Sequence, residues 1–186
     1  DPSPATVAAL AAKLDSTHGF GGRVADDPDT IRWLPGLIPA LHHVVRAAVS
    51  AKRHGGVPHP TEAPIAVASV TPIYYRFLFV GDCEGVGVHQ VPLLRDRVGS
   101  HELVYSIDFD GLAAALARPE TEVLMWCNPH NPSGRVWTRD EMVRVARLCV
   151  EHDVIVLSDE VWADVLFDPV STPFVGLASV PDVLFD

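Results

Sequence analysis

Two short polar strings in this chain have residue types that could do chemistry together. The first is Trp126-Cys127-Asn128-Pro129-His130-Asn131-Pro132-Ser133-Gly134-Arg135. It is a proline-locked turn behind the apolar run Val123-Leu124-Met125-Trp126. Asn131 precedes Pro132, so its backbone is held extended, and Ser133-Gly134 completes a turn. A stiff loop can aim a side-chain amide. The second string is Leu157-Ser158-Asp159-Glu160-Val161-Trp162, where Asp159 stands one residue past the apolar run Val154 to Leu157. A carboxylate at a strand end is largely desolvated and wants a cationic partner. A protonated ring nitrogen would serve. An amide and a carboxylate facing one crevice suit a nitrogen heterocycle with a neighbouring oxygen. Each also has a plainer alternative: Asn131 as a structural Asn-Pro turn, Asp159 as a cap on the next turn.

Other candidates are weaker in isolation. Glu160 points away from Asp159 in an extended segment or a first turn, and no chemistry is assigned to it. Trp162, three residues past Asp159, shares its face if a helical turn begins there, and its indole N–H can only donate. Trp33-Leu34-Pro35-Gly36-Leu37-Ile38 places a turn before a helix. Free backbone N–H groups and the helix dipole make that end an anion site, but a lone glycine is a weak signal and many helices begin this way. Tyr74, just after Pro72, could cover a planar ligand or simply pack in the core. His42 and His43 are adjacent on a helix and cannot share a metal face, and Asp159 has no His or Cys at metal-ligand spacing. No GxSxG elbow or P-loop is present.

The elements that must hold these residues alternate. Helical spacing predicts helices over Ala5–Leu14, closed by the glycines of His18 to Gly22, and over Leu37–Ala51. Ile31–Leu34 reads as a short strand and His54–Pro64 as a loop. Ile65–Val70 is an apolar strand, Pro72 opens a short aromatic helix over Ile73–Phe79, and Val86–Leu93 is another strand. Asp108-Phe109-Asp110 caps a helix through Ala117. Thr138 and Glu141 have capping-box spacing and start a helix to about His152, with Met142, Val145 and Cys149 on one face. Val154–Leu157 is a strand apolar throughout, as expected when both faces are covered. Strand-helix alternation predicts an α/β fold, a mostly parallel sheet flanked by helices. Both polar strings then lie beyond carboxyl ends of strands, where such sheets bind ligands.

The bulk numbers exclude several classes. At 186 residues and 48% hydrophobic, the chain can bury a core. Its net charge of −10, with no basic run, makes nucleic acid and anionic membranes poor partners. No apolar run reaches the roughly 18 residues that span a bilayer. Cys83, Cys127 and Cys149 form no CxxC pair and read as ordinary buried thiols in a reducing compartment, the cytoplasm. Asp1-Pro2-Ser3-Pro4 is no signal peptide and reads as a cut edge.

Taken in order, these pieces resemble fold-type I pyridoxal-phosphate (PLP) enzymes of the class I/II aminotransferase superfamily. The likeness is strongest to the cystathionine β-lyase (cysteine-S-conjugate β-lyase) branch. It is carried by Trp33 to Leu41, Thr71-Pro72-Ile73-Tyr74, Tyr105 to Asp110, Cys127 to Arg135 and Ser158 to Asp164. The resemblance implies a truncated PLP large domain over residues 25–186 after an N-terminal segment, 1–24. It implies that Gly36, Leu37 and Ile38 cup the cofactor phosphate and that Tyr74 stacks on the ring. Asn131 would bond the phenolic oxygen and Asp159 the ring nitrogen. Trp162 falls where the family usually has Tyr or His; it can donate to the phenolic oxygen but cannot relay a proton. The family's Schiff-base lysine lies downstream of that Asp. This chain has only Lys13 and Lys52. The resemblance therefore implies a fragment of a longer parent, without a catalytic residue of its own. That parent would be a homodimer that releases a thiol, pyruvate and ammonia from cystathionine or a cysteine S-conjugate. An aminotransferase on the same scaffold is the alternative, and a non-catalytic module that kept the fold is the alternative of another class.

Overall fold

The computed structural model describes residues 2–18, 24, 30–54, 65–100, 102–167 and 175–176. In chain order the elements are α1 (Pro4–His18), α2 (Leu37–His54), β1 (Ala66–Thr71), α3 (Arg76–Glu84), β2 (Gly87–Pro92), β3 (Leu94–Val98), β4 (Glu102–Ser106), α4 (Phe109–Leu116), β5 (Thr121–Cys127), α5 (Arg139–Glu151) and β6 (Ile155–Asp159). Strands β2-β1-β5-β6 form a four-stranded sheet, parallel throughout. β3 and β4 form a separate antiparallel ribbon. The expected α/β class with a flanked parallel sheet is what forms.

Strand alternation sorts the core into two layers. Val67, Val123, Met125, Cys127 and Leu157 pack beneath Leu41 and Val45 of α2 and Phe77 and Val80 of α3. Ala68, Val70, Leu124 and Trp126 face the other way, against Leu112 and Leu116 of α4 and Met142, Val145 and Cys149 of α5. β5 is buried at every position because both faces are covered, the pattern of a central parallel strand. The crossover β1-α3-β2 steps one way from the centre and β5-α5-β6 the other. The order therefore reverses between β1 and β5, the place where open α/β sheets bind ligands.

Local chemistry sets the ends of the helices. The Asp108 side chain accepts from Gly111 N–H at 3.0 Å to start α4. At α5 the expected capping box forms in both directions, Thr138 Oγ1 to Glu141 N–H and Glu141 to Thr138 N–H. α3 closes on Gly85 at φ 66°, a left-handed position that favours glycine. α1 is tied to the turn after β6 by Lys13 with Asp164 and by His18 Nε2 with Glu160 at 3.1 Å.

Several expectations need correction. Residues 31–34 form no strand; Trp33 and Leu34 are exposed and pair with no strand among the described residues, and an unpaired edge has no ladder to hold it. The aromatic helix runs Arg76–Glu84 rather than Ile73–Phe79, because the Tyr74 N–H is committed to the Asn131 carbonyl at 3.1 Å, outside any helix. The β3–β4 ribbon was not anticipated; β3 is exposed at every position, so no apolar alternation marked it. Cys83 is exposed, unlike Cys127 and Cys149. α1 and α2 extend to His18 and His54. The glycines at 19, 21 and 22 and the loop at 55–64 lie outside the described residues. Among the described residues no helix is long and apolar enough to cross a membrane.

Candidate active site

The carboxyl ends of three neighbouring strands carry Tyr74 (after β1), Asn131 (after β5) and Asp159 (closing β6). The register Cys127↔Asp159 sets the carboxylate beside the residue that begins the Asn131 loop. The Asn128 N–H donates to the Asp159 carbonyl at 3.0 Å, and the Tyr74 N–H to the Asn131 carbonyl at 3.1 Å. Backbone hydrogen bonds thus join all three strand ends.

The two Asn-Pro pairs look alike in sequence, and the fold gives them different work. Asn128 is fully buried, with both ends of its amide used. Its Oδ1 accepts from Trp137 N–H at 3.1 Å and its Nδ2 donates to the Val175 carbonyl at 2.8 Å. Asn131 is half-buried, and its side-chain amide has no hydrogen-bond partner among the described residues. The loop that presents it is braced from several sides. Trp137 Nε1 donates to the Cys127 carbonyl at 3.0 Å, and the His130 ring bonds Ser133 Oγ through Nδ1 at 2.7 Å. His130 N–H donates to the Arg135 carbonyl at 2.7 Å, and Gly134 N–H to the His130 carbonyl at 2.8 Å. Arg135 is held by Glu141 at 2.6 Å and lies over the Trp137 ring. A shell of this kind lets a loop hold a side chain to a fraction of an ångström.

Asp159 is 7% exposed and faces the α2–α3 layer with Cys127 and Leu157. Its Oδ1 accepts from Val161 N–H at 3.1 Å, so it does cap the next turn. Its Oδ2 lies 3.9 Å from the Cys127 thiol. Burial raises the carboxyl above its ordinary value, opposed by the Val161 hydrogen bond and assisted by the Glu160 charge. No basic side chain acts on it among the described residues. The Cys127 thiol is pushed up to about 12, mainly by burial and further by the Asp159 charge, so it is no thiolate nucleophile. Burial, then the Arg135 charge, pulls the His130 imidazole down to about 4, leaving it neutral near pH 7.

The remaining sequence candidates are placed as follows. Gly36 has φ 139°, a conformation that side chains rarely adopt, and its carbonyl accepts from Ala40 N–H at 3.2 Å as α2 begins. The first N–H groups of a helix lack intrahelical acceptors, so those at Leu37 and Ile38 are open to an anion. α2 covers the same sheet face that Asp159 and Cys127 share. No hydrogen bond or ring contact joins Gly36, Leu37 or Ile38 to the other candidates among the described residues. Tyr74 is half-buried and meets Tyr75 edge-on at 5.1 Å. Trp162 is 48% exposed and lines an open pocket of about 300 Å³ with Asn131; Asp159 is not among the walls. Glu160, given no chemistry, pairs with His18 and accepts from Ser158 Oγ at 2.9 Å. Lys13 is paired with Asp164 on the surface. Asn128, Cys127 and His130 are the site residues that sequence reasoning passed over. Only the doubled Asn-Pro pattern hinted that one asparagine serves the other.

Comparison with known proteins identifies the family and the fold. Residues 66–184 match the family model for aminotransferase class I and II. The chain belongs to that family. The cystathionine beta-lyase PatB of Bacillus subtilis is 32% identical over 95% of this chain and 41% of its own length. The arginine–pyruvate transaminase AruH of Pseudomonas aeruginosa is 31% identical over 86% of this chain and 36% of its own. The crystal structure of cystalysin from Treponema denticola, which contains pyridoxal 5'-phosphate, superposes over 99% of this chain and 41% of that one. Its TM-score is 0.79 at 23% identity, so it establishes the shared fold. The chain therefore spans about two fifths of the length of such family members.

Proposed function

We propose that the whole protein is a PLP-dependent carbon–sulfur β-lyase acting on cystathionine or cysteine S-conjugates. The observation that carries the cofactor is Asp159: a buried carboxylate at a strand end with no cation acting on it among the described residues. A protonated pyridine nitrogen fits that position and would offset the burial that raises the carboxyl. The Asn131 amide, unpartnered among the described residues, fits a phenolic oxygen, and the first N–H groups of α2 fit a phosphate. When bound, PLP supplies an electron sink for the pair left at the substrate α-carbon.

The residues of this chain bind and orient. Asp159 holds a proton on the ring nitrogen, which keeps the sink effective. Asn131 donates to the phenolic oxygen from a loop that Asn128, His130 and Trp137 brace. Tyr74 covers the ring, Trp162 closes the Asn131 side, and Gly36, Leu37 and Ile38 receive the phosphate. None of these groups is a base for the α-proton, and that step is not assigned to this chain. In this reading residues 25–186 belong to the large domain, 1–24 form an N-terminal segment, and the protein is a cytoplasmic homodimer.

The lyase is preferred because the likeness to PatB runs across 95% of the chain. The AruH likeness over 86% keeps an aminotransferase as the second reading. The whole protein, given a cysteine S-conjugate and PLP without a keto acid, should release pyruvate and thiol over many turnovers. Turnover that stops at one equivalent and resumes on adding a keto acid would establish the aminotransferase instead.

A further inference from the structure

The pocket bounded by Asn131 and Trp162 has a chemistry that the proposed site does not use. Its volume is about 300 Å³, the low end of the ~300–1,000 Å³ range of small-ligand sites. Val136, Trp162, Val165, Leu166 and Phe167 supply apolar walls, and Pro129 and Pro132 close one side. Among the described residues no Asp, Glu, Lys or Arg lines it. The polar side chains among its described lining residues are those of Asn131, His130 and Trp162, the last through its indole N–H alone. His130 is 1% exposed, and its Nε2 has no hydrogen-bond partner among the described residues. With burial holding that ring neutral, no described wall residue balances a charge near pH 7. A pocket with apolar walls and a few polar groups selects an apolar occupant that carries at most a neutral polar atom. A charged occupant would give up part of its hydration with no ion pair from the described walls to replace it.

We propose that this pocket is the leaving-group subsite of the lyase, that it takes an apolar thiol such as an arylmethyl thiol, and that Trp162 and Val165 set this preference. The proposal rests on the lyase reading above. Asn131 is the link, since it belongs both to the pocket and to the cofactor site proposed there. Trp162 then acts as an apolar wall, which explains why an indole can stand where the family usually has Tyr or His. Cystathionine fits poorly, because its departing half carries an ammonium and a carboxylate into a pocket with no opposite charge. The reaction balances as an S-substituted cysteine plus water giving thiol, pyruvate and ammonium. The α-proton is removed, the carbon–sulfur bond breaks with its electron pair going to sulfur, and the thiolate takes up a proton.

Two measurements on the whole protein test this. The first is saturation-transfer NMR with benzyl methyl sulfide, an unreactive apolar thioether. Saturable binding is expected, weakened at least tenfold by Val165→Asp; Val165 is 55% exposed, so the variant keeps the fold. The second compares S-benzyl-L-cysteine with L-cystathionine. A preference of at least tenfold in kcat/KM for the benzyl substrate is expected, collapsing in Val165→Asp while the bound PLP absorbance is unchanged. Equal or better use of cystathionine by the wild type would overturn the proposal and leave the lyase reading standing. So would a preference that survives Val165→Asp. Absence of benzyl methyl sulfide binding would mean that another part of the protein, or a second copy, covers the pocket, and would overturn it too. If neither substrate yields pyruvate without a keto acid, the lyase reading fails. The pocket then cannot be a leaving-group subsite, whatever the thioether does.

Discussion

Replacing Asp159 by Asn should stabilise the cofactor-free protein, and the effect should grow with pH. The carboxyl is buried, raised above its ordinary 3.8 by that burial, and faces no cation among the described residues. An acid whose folded value is raised holds its proton more tightly when folded. Stability is then lost as pH rises from 3.8 through the folded value. Each unit of raising is worth about 1.4 kcal/mol of stability lost above that window. Asn keeps the oxygen that accepts from Val161 N–H and removes the charge. Ala removes both, and losing such a cap typically costs about 1 kcal/mol. Urea unfolding at pH 4 and pH 7 should therefore place Asp159→Asn above wild type at pH 7. The gap should shrink toward pH 4, and Asp159→Ala should fall below Asp159→Asn at both. If Asp159→Asn is the less stable protein at pH 7, the carboxylate is a structural cap in a satisfied environment. The argument for a cation-seeking site then collapses.

Two further outcomes follow from the loop. Asn128→Ala leaves the Trp137 N–H and the Val175 carbonyl without partners; at ~1–3 kcal/mol for each buried orphan, unfolding should show a loss of about 2–6 kcal/mol. A wild-type-like stability would mean that Asn128 does not brace the loop. His130 is pulled from 6.5 down to about 4, so the unfolded chain binds the extra proton between those values. Stability should fall on the order of 3 kcal/mol as pH drops from 7 to 4, and His130→Gln should flatten that part of the curve. An unchanged slope in His130→Gln would assign the loss to other groups.

The sequence made much of the fold legible where one physical rule decided the outcome. Both faces of β5 are covered, so Thr121 to Cys127 reads as a buried strand. Thr138 and Glu141 satisfy each other across one turn, so the start of α5 could be read from two residues. Where several weak effects compete, the reading failed. Ile31–Leu34 is apolar enough for a strand, but a strand also needs a neighbour. The β3–β4 ribbon is exposed throughout β3, and its pairing Leu94↔Ser106 to Val98↔Glu102 has no local signature. In the site, Asn131 and Asp159 could be named because a proline and a strand end restrict each of them. The bond from Tyr74 N–H to the Asn131 carbonyl spans 57 residues of sequence and depends on the order of the strands. So does the contact between Cys127 and Asp159. No local pattern encodes either.

The pairing of Asp159 with the cofactor ring nitrogen is tested most directly by nitrogen NMR. PLP labelled with ¹⁵N in the pyridine ring is bound to the whole protein and to its Asp159→Asn variant. The wild type should show the chemical shift of a protonated ring nitrogen, and the variant that of the neutral one. A neutral nitrogen in the wild type, or a protonated one that survives the substitution, would contradict the assignment of Asp159 and with it the proposed site.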